Sequence, residues 1–245
     1  LRAIRFAARF AFSIDEATAD AIRHSSHELK GVSRERIGQE IRRMLTDPNR
    51  SVAAWEMQYL GLDSAVLEEA SSKVAPTRLG HLPDSTGLPT ALAAWLLDRH
   101  ANGSDDLIDI AKRWSSALML SNEERFALSR SLEIYDTLTG GWGSLGVAAQ
   151  KGLAASAHFY DALALVQATD RQLFVDLRRK VFELAQTGLE PPALLDGEDL
   201  IGMGMKPGPN FSRVLSAVYD AQLEGSVTTK EQAVALARLL ETTSP

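Results

Sequence analysis

Apolar residues recur along this chain at every third or fourth position, and no segment alternates apolar and polar residues with the period of two that a half-buried strand imposes. That pattern predicts an all-α fold, in which helices bury apolar stripes against one another. A chain of 245 residues has room for one large helical domain or two to three small ones. No fixed-period repeat stands out, and the expected loops differ in length.

Local signals place the elements. Leu1, Ile4, Ala8 and Ala11 lie on one face of an opening helix that no capping residue precedes. Leu1 therefore reads as an internal cut, made by design or by proteolysis. Asp15 is the expected N-cap of a second helix and Ser33 of a third, whose stripe is Ile37, Ile41, Met44 and Leu45. Asp47-Pro48-Asn49 ends it, and a helix from about Val52 to Leu60 follows. Residues 75–89 hold Pro76, Gly80, Pro83, Gly87 and Pro89 and read as a loop. Thr90 to Leu97 is apolar enough for a central buried helix, and Ser104-Asp105-Asp106 starts the next. Ser121 with Glu124 forms a capping box for a helix reaching about Leu138. Gly140, Gly141 and Gly143 then read as a helix stop and flexible connector, followed by helical stretches near 145–167 and 170–187. Pro191-Pro192 reads as a linker, and a short helix from Leu200 to Met203 follows Asp196-Gly197-Glu198-Asp199. Pro209 opens a helix that stops at Gly225, and Thr228 with Glu231 is the expected capping box of a last one.

Composition excludes several classes. With no cysteine there are no disulfides and no thiolate metal sites, and a reducing, cytoplasmic setting fits. No apolar run approaches the roughly 20 residues that span a bilayer, so no membrane partner is expected. The net charge of −6 argues against a wholly basic nucleic-acid module. Its distribution is uneven: residues 1–50 carry ten basic against seven acidic side chains, which leaves −9 for the remainder. Anion contacts should therefore concentrate at the N-terminal end.

Two local constellations are candidates for binding. Arg2, Arg5 and Arg9 form a stripe along the first helix, where guanidinium groups one turn apart can hold a phosphate bidentately or meet base edges. The plain alternative is a solvated face paired with Glu35 or Glu40 of the third helix. The turn Lys206-Pro207-Gly208-Pro209-Asn210 offers free N–H groups at a helix start together with a lysine, against the alternative of an ordinary helix corner. His24 and His27 lack a partner Glu or Asp at helical spacing that would complete a ligand set, and Leu97-Asp98-Arg99-His100 is not an adjacent His-Asp pair, so no metal site is assigned. No P-loop, dinucleotide-binding loop or Ser/His/Asp set appears.

The segment Leu1-Arg2-Ala3-Ile4-Arg5-Phe6-Ala7-Ala8-Arg9-Phe10, with Phe12-Ser13-Ile14-Asp15 after it, resembles the neck of class II tRNA nucleotidyltransferases and bacterial poly(A) polymerases. Val32-Ser33-Arg34-Glu35-Arg36-Ile37 resembles the next motif of that family, which buttresses the neck helix. Leu194 to Leu200, Lys206 to Pro209 and Ala221 to Gly225 resemble the tail of its CCA-adding branch. Residues 51–190 match in texture, with Leu120 to Glu124 the best echo.

The resemblance implies an elongated helical array: a neck over residues 1–50, a body over 51–190 and an RNA-binding tail over 191–245. It implies a parent enzyme that adds CCA, C or A to tRNA 3′ ends, or tails to other RNA, from CTP and ATP. The two metal-binding carboxylates, and hence Mg²⁺, would lie in a head domain that this chain lacks. So would the Glu-Asp-x-x-Arg stretch that reads the base. By the same resemblance Arg2 and Arg5 contact the nucleotide, Arg9, Glu35 and Arg36 support the neck, and Lys206, Gly208 and Asn210 contact RNA. The chain alone is then expected to bind RNA and transfer nothing. The competing readings are a non-catalytic helical RNA-binding or regulatory module and a degenerate helical metal phosphohydrolase; neither reading, nor the resemblance, assigns an oligomeric state.

Overall fold

The computed structural model describes residues 1–101 and 106–242. Among these every regular element is a helix. In chain order they are α1 (Arg2–Phe10), α2 (Glu16–His24), α3 (Arg34–Leu45), α4 (Arg50–Tyr59), α5 (Asp63–Leu67), α6 (Thr77–His81), α7 (Leu88–Arg99) and α8 (Leu107–Ala117). There follow α9 (Asn122–Asp136), α10 (Val147–Ala155), α11 (Phe159–Thr169), α12 (Arg171–Ala185), α13 (Gly197–Gly202), α14 (Pro209–Leu223) and α15 (Lys230–Thr242). They fall into two compact units, one made of Leu1–Gly140 with His158–Phe174, the other of Gly141–Ala157 with Val175–Pro245.

The first unit is built around α7. Every residue from Ala91 to Leu96 is fully buried, so this helix is apolar on all sides, as its composition predicts. It packs against α3, α6, α8, α9 and α11. A charged network is buried beside it. Arg99 donates to Asp63 and Glu69, both at 2.6 Å, and to Ala70 O at 2.8 Å, with its guanidinium beside the rings of Trp95 and Trp114. Asp63 has no exposure, so the network is satisfied from within. Two further arginines act as clamps on backbone carbonyls. Arg34 of α3 donates to Ala117 O and Ala65 O, and Arg50 of α4 to Pro83 O and Asp84 O. Arg34 thereby draws α3 against the end of α8, so closely that a Cβ on Gly38 would stand 2.2 Å from Leu118 O.

Local caps match the sequence. Asp15 accepts from Thr18 N, Ser33 from Arg36 N, and Ser121 and Glu124 form the reciprocal box. Asp106 caps α8; Ser104 and Asp105, expected with it, lie outside the described residues. Elsewhere the structure departs from expectation. The loop expected over 75–89 contains α6, whose first N–H groups are capped from a distance: Arg78 N and Leu79 N donate to the Asp98 carboxylate of α7. The helix expected near 145–167 is two, α10 and α11, because Ser156 is extended and its hydroxyl donates back to Leu153 O. The glycine-rich connector is ordered, with a π-helical turn over Thr137–Gly141 and the Trp142 side chain buried.

The second unit has its own core of Leu195, Leu200, Met205, Val214, Val218, Val227, Ala233 and Ala237. Helix α13 begins three residues earlier than expected, because Asp196 and Asp199 make a capping box around its first turn. The expected linker is fixed to α14: Tyr219 donates its hydroxyl to Pro191 O and Gln222 its amide to Pro192 O. The last cap lies one residue later than expected. Thr229 accepts from Gln232 N, while Gln232 accepts from Thr228 N and Thr229 N.

Candidate nucleic-acid interface

Helix α1 buries Ile4, Ala7 and Ala8 against α3 and α4. It ends where Ala11 turns into the left-handed region (φ 53°), which lets Phe12 N reach back to Ala7 O at 2.9 Å. The outward side carries Arg2, Phe6, Arg9 and Phe10. Phe6 and Phe10 stack with centroids 6.1 Å apart, and Phe12 continues the row at 5.7 Å. All three rings are exposed, Phe12 by 68 %. The arginines interleave with them: the Arg5 guanidinium lies 4.3 Å from the Phe6 centroid and that of Arg9 lies 5.8 Å from the Phe10 centroid.

Beside this row is a concavity of about 450 Å³, lined by Arg5, Arg9, Arg43, Thr46, Asp47 and Pro48. It forms where the C-terminal half of α1 passes the C-terminal turn of α3. Glu40 organises it from beneath. One carboxylate oxygen accepts from Arg5 Nε at 2.9 Å and the other from Arg43 at 2.9 Å. Arg9 stands 3.9 Å from Asp47, which also accepts from Asn49 N. Three guanidinium groups against two carboxylates leave the concavity with one net positive charge. Burial works to raise the Glu40 carboxyl, but hydrogen bonds and charge from Arg5 and Arg43 outweigh it and hold that carboxyl below its ordinary range. The arrangement is that of an anion cradle with a stacking platform next to it, the two elements by which proteins hold single-stranded nucleic acid.

The arginine stripe is thus divided. Arg5 and Arg9 meet in the concavity, whereas Arg2 is exposed and does not line it. Arg5 is largely buried on Glu40, so the acidic partner weighed from the sequence is present, and it is Glu40 rather than Glu35. The Glu35 and Arg36 side chains, in the first turn of α3, are exposed and meet no partner among the described residues. Sequence reading missed Arg43 and the three phenylalanines. Their signals were local: Arg43 lies three residues after Glu40, and Phe6 and Phe10 lie one turn apart on an otherwise polar face.

In the second unit Lys206 is exposed and has no ion pair or hydrogen bond from its ammonium among the described residues. Gly208 is extended and precedes Pro209, the first residue of α14. Pro209 has no N–H, so the first of that helix belongs to Asn210; the next is engaged, since Phe211 N donates to Gly208 O at 3.0 Å. The Asn210 side chain faces its own helix, accepting two bonds from Arg213 at 3.1 and 2.8 Å.

Comparison with known proteins bears on both regions. A family profile described as "Probable RNA and SrmB- binding site of polymerase A" matches residues 11–73, which include Phe12, Glu40, Arg43 and Asp47. The chain is 24 % identical over 233 residues to a CCA-adding enzyme of Lacticaseibacillus paracasei, covering 93 % of this chain and 54 % of that enzyme. It is 26 % identical over 243 residues to one from Limosilactobacillus fermentum, covering 95 % and 56 %. To one from Lactobacillus delbrueckii subsp. bulgaricus it is 24 % identical over 241 residues, covering 96 % and 58 %. The chain therefore spans little more than half the length of each of these relatives.

Proposed function

We propose, from the premise that this chain is part of a protein of the CCA-adding enzyme and poly(A) polymerase family, that it holds RNA for template-independent nucleotide addition. The parent reaction is transfer of C or A from CTP or ATP to an RNA 3′ end, with addition of CCA as the form that the relatives' names print and tRNA as the substrate we propose for it. The observation that carries this reading is the arginine-lined concavity beside the Phe6-Phe10-Phe12 row. A phosphate seated among Arg5, Arg9 and Arg43 puts the attached base within reach of an exposed aromatic face.

Within this reading Arg2, on the open side of α1, and Arg5 contact the incoming nucleotide, and Arg9 supports the neck through Asp47; Glu35 and Arg36, whose side chains meet no partner among the described residues, would support it through the part of the parent protein that this chain does not span. Lys206, with Gly208 and Asn210 beside it, contacts RNA backbone at the start of α14. Mg²⁺ belongs to the reaction class, where it would position the attacking 3′-OH and the triphosphate. The concavity does not fit it: the two carboxylates at it, Glu40 and Asp47, both face arginines, and three of its six lining residues are arginines. We therefore assign the metal, and the transfer step, to the part of the parent protein that this chain does not span.

The chain by itself should bind RNA and extend nothing. Incubation of the pure chain with tRNA, Mg²⁺ and labelled CTP or ATP tests this, and any 3′ extension would overturn it. In the full-length enzyme Arg2→Ala should weaken nucleotide use more than RNA binding. Lys206→Ala should do the reverse, with a salt slope lower by about one unit. Equal effects of both on both ligands would mean that the two sites are misassigned.

A further inference from the structure

The second unit contains a larger cavity, of about 710 Å³, with no part in the reading above. Trp142, Val147, Leu184, Leu194, Leu223 and Val227 supply apolar wall. Most polar side chains that reach it are engaged within the protein. Gln150 donates to Trp142 O, Gln222 bonds Leu194 N and Pro192 O, and Lys180 pairs with Glu183 at 3.1 Å. Glu224 stands at the solvent-exposed rim.

Lys151 is the exception. It lies on the buried face of α10 between Ala148 and Ala154, two small residues that leave it room. It is 3 % exposed and lines the cavity. Its ammonium has neither a carboxylate within ion-pair distance nor a hydrogen-bond acceptor among the described residues. The two carboxylates on the same cavity wall are taken up elsewhere, Glu183 by Lys180 and Glu224 at the rim, so the Lys151 ammonium opens into the cavity without an ion pair and is available to an incoming anion. The apolar wall and volume are those of a small-molecule site, which characteristically fixes its ligand through few polar groups.

We propose that this cavity binds an organic anion with an aromatic or apolar body, its phosphate or carboxylate meeting Lys151 and its body lying against the wall near Trp142. A nucleotide satisfies both requirements, whether it belongs to an RNA chain or is free. This inference stands apart from the α1 site and does not depend on it.

The test uses the whole chain with 8-anilinonaphthalene-1-sulfonate as the fluorescent probe, then AMP, CMP and a tRNA acceptor minihelix as competitors. The chain should bind one probe molecule. Lys151→Met, which keeps the apolar stem, should weaken binding by about tenfold or more, as expected for loss of a charge-assisted hydrogen bond. Lys151→Arg should retain most of the affinity. In the free chain Lys151→Met should leave the thermal midpoint close to that of wild type, since the ammonium makes no ion pair or hydrogen bond among the described residues to lose. Val147→Trp, which narrows the cavity one helical turn from Lys151 and keeps the ammonium, should also abolish binding. Displacement by AMP or CMP but not by minihelix identifies a free nucleotide, displacement by minihelix identifies RNA, and displacement by neither leaves another aromatic anion as the ligand. A wild-type chain that does not bind the probe, or a folded Lys151→Met that binds it as tightly as wild type, overturns the proposal.

Discussion

Glu40→Gln separates the structural work of the neck from its charge, because the two respond with opposite signs. In the folded chain one carboxylate serves two guanidinium groups, Arg5 at 2.9 Å and Arg43 at 2.9 Å. Arg5 and Glu40 are 10 % and 17 % exposed, so their bond is the stronger of the two; Arg43 is 56 % exposed and its bond is screened. Losing the first costs about 1.5–3 kcal/mol and losing the second at most about 0.5 kcal/mol. The glutamine amide also turns a donor towards a group that only donates. Meanwhile the net charge at the concavity rises by one. For a phosphate about 8 Å away, at an effective dielectric constant of about 40, that adds about 1 kcal/mol of attraction, roughly fivefold in Kd.

The variant should therefore unfold at lower urea yet bind a single-stranded oligonucleotide more tightly, with a salt dependence steeper by about one phosphate contact. Urea unfolding gives the first quantity and fluorescence anisotropy across a salt series gives the second. Parallel loss of stability and affinity, or an unchanged salt slope, would refute the account of the concavity as an anion cradle. Acid adds a check. The Glu40 carboxyl is held below its ordinary value of 4.5, so the folded state binds its proton less readily than the unfolded chain. That stabilisation is complete above the ordinary value and is lost as pH falls through the folded one. Glu124, held low by Arg42, acts in the same direction. Only the Glu40 share should be missing from the acid limb of Glu40→Gln.

Three further substitutions test other parts of the structure. Gly38→Ala places a methyl group 2.2 Å from Leu118 O, so α3 must shift; a net loss of about 1–3 kcal/mol in chemical unfolding is expected despite the better helix propensity of alanine, and a gain would mean that the close approach is misjudged. Asp63→Ala leaves the buried Arg99 with Glu69 as its remaining carboxylate; about 3–5 kcal/mol should be lost, and a change below about 1 kcal/mol would show that water reaches the network. Phe10→Ala removes an exposed ring; stability should change by less than about 0.5 kcal/mol, while affinity for single-stranded RNA falls by about 1–3 kcal/mol at unchanged salt slope. Unaltered affinity would remove the aromatic row from the site.

What the sequence disclosed and what it withheld divide along the distance between interacting groups. The caps at Asp15, Ser33 and Ser121 each join residues three apart, and α7 declares its burial through its own composition, so all four were legible. Helix α6 was not, because the group that satisfies its first N–H donors is Asp98, twenty residues away and on another helix. The arginine stripe shows the same division within one motif. Spacing puts Arg2, Arg5 and Arg9 on one face, yet Glu40, thirty-five residues from Arg5, decides that Arg5 is buried and fixed while Arg2 is not. Arg43 enters the site through the same carboxylate. A site assembled around a shared counter-ion is hard to read from either helix alone, since each helix shows only a charge that water would satisfy equally well. Lys151 is the converse case. Its neighbours Ala148 and Ala154 mark the face as buried, and a lysine on such a face ordinarily signals a nearby carboxylate. Here the packing supplies a cavity instead, so the missing counter-charge is a property of the fold that only the folded chain can display.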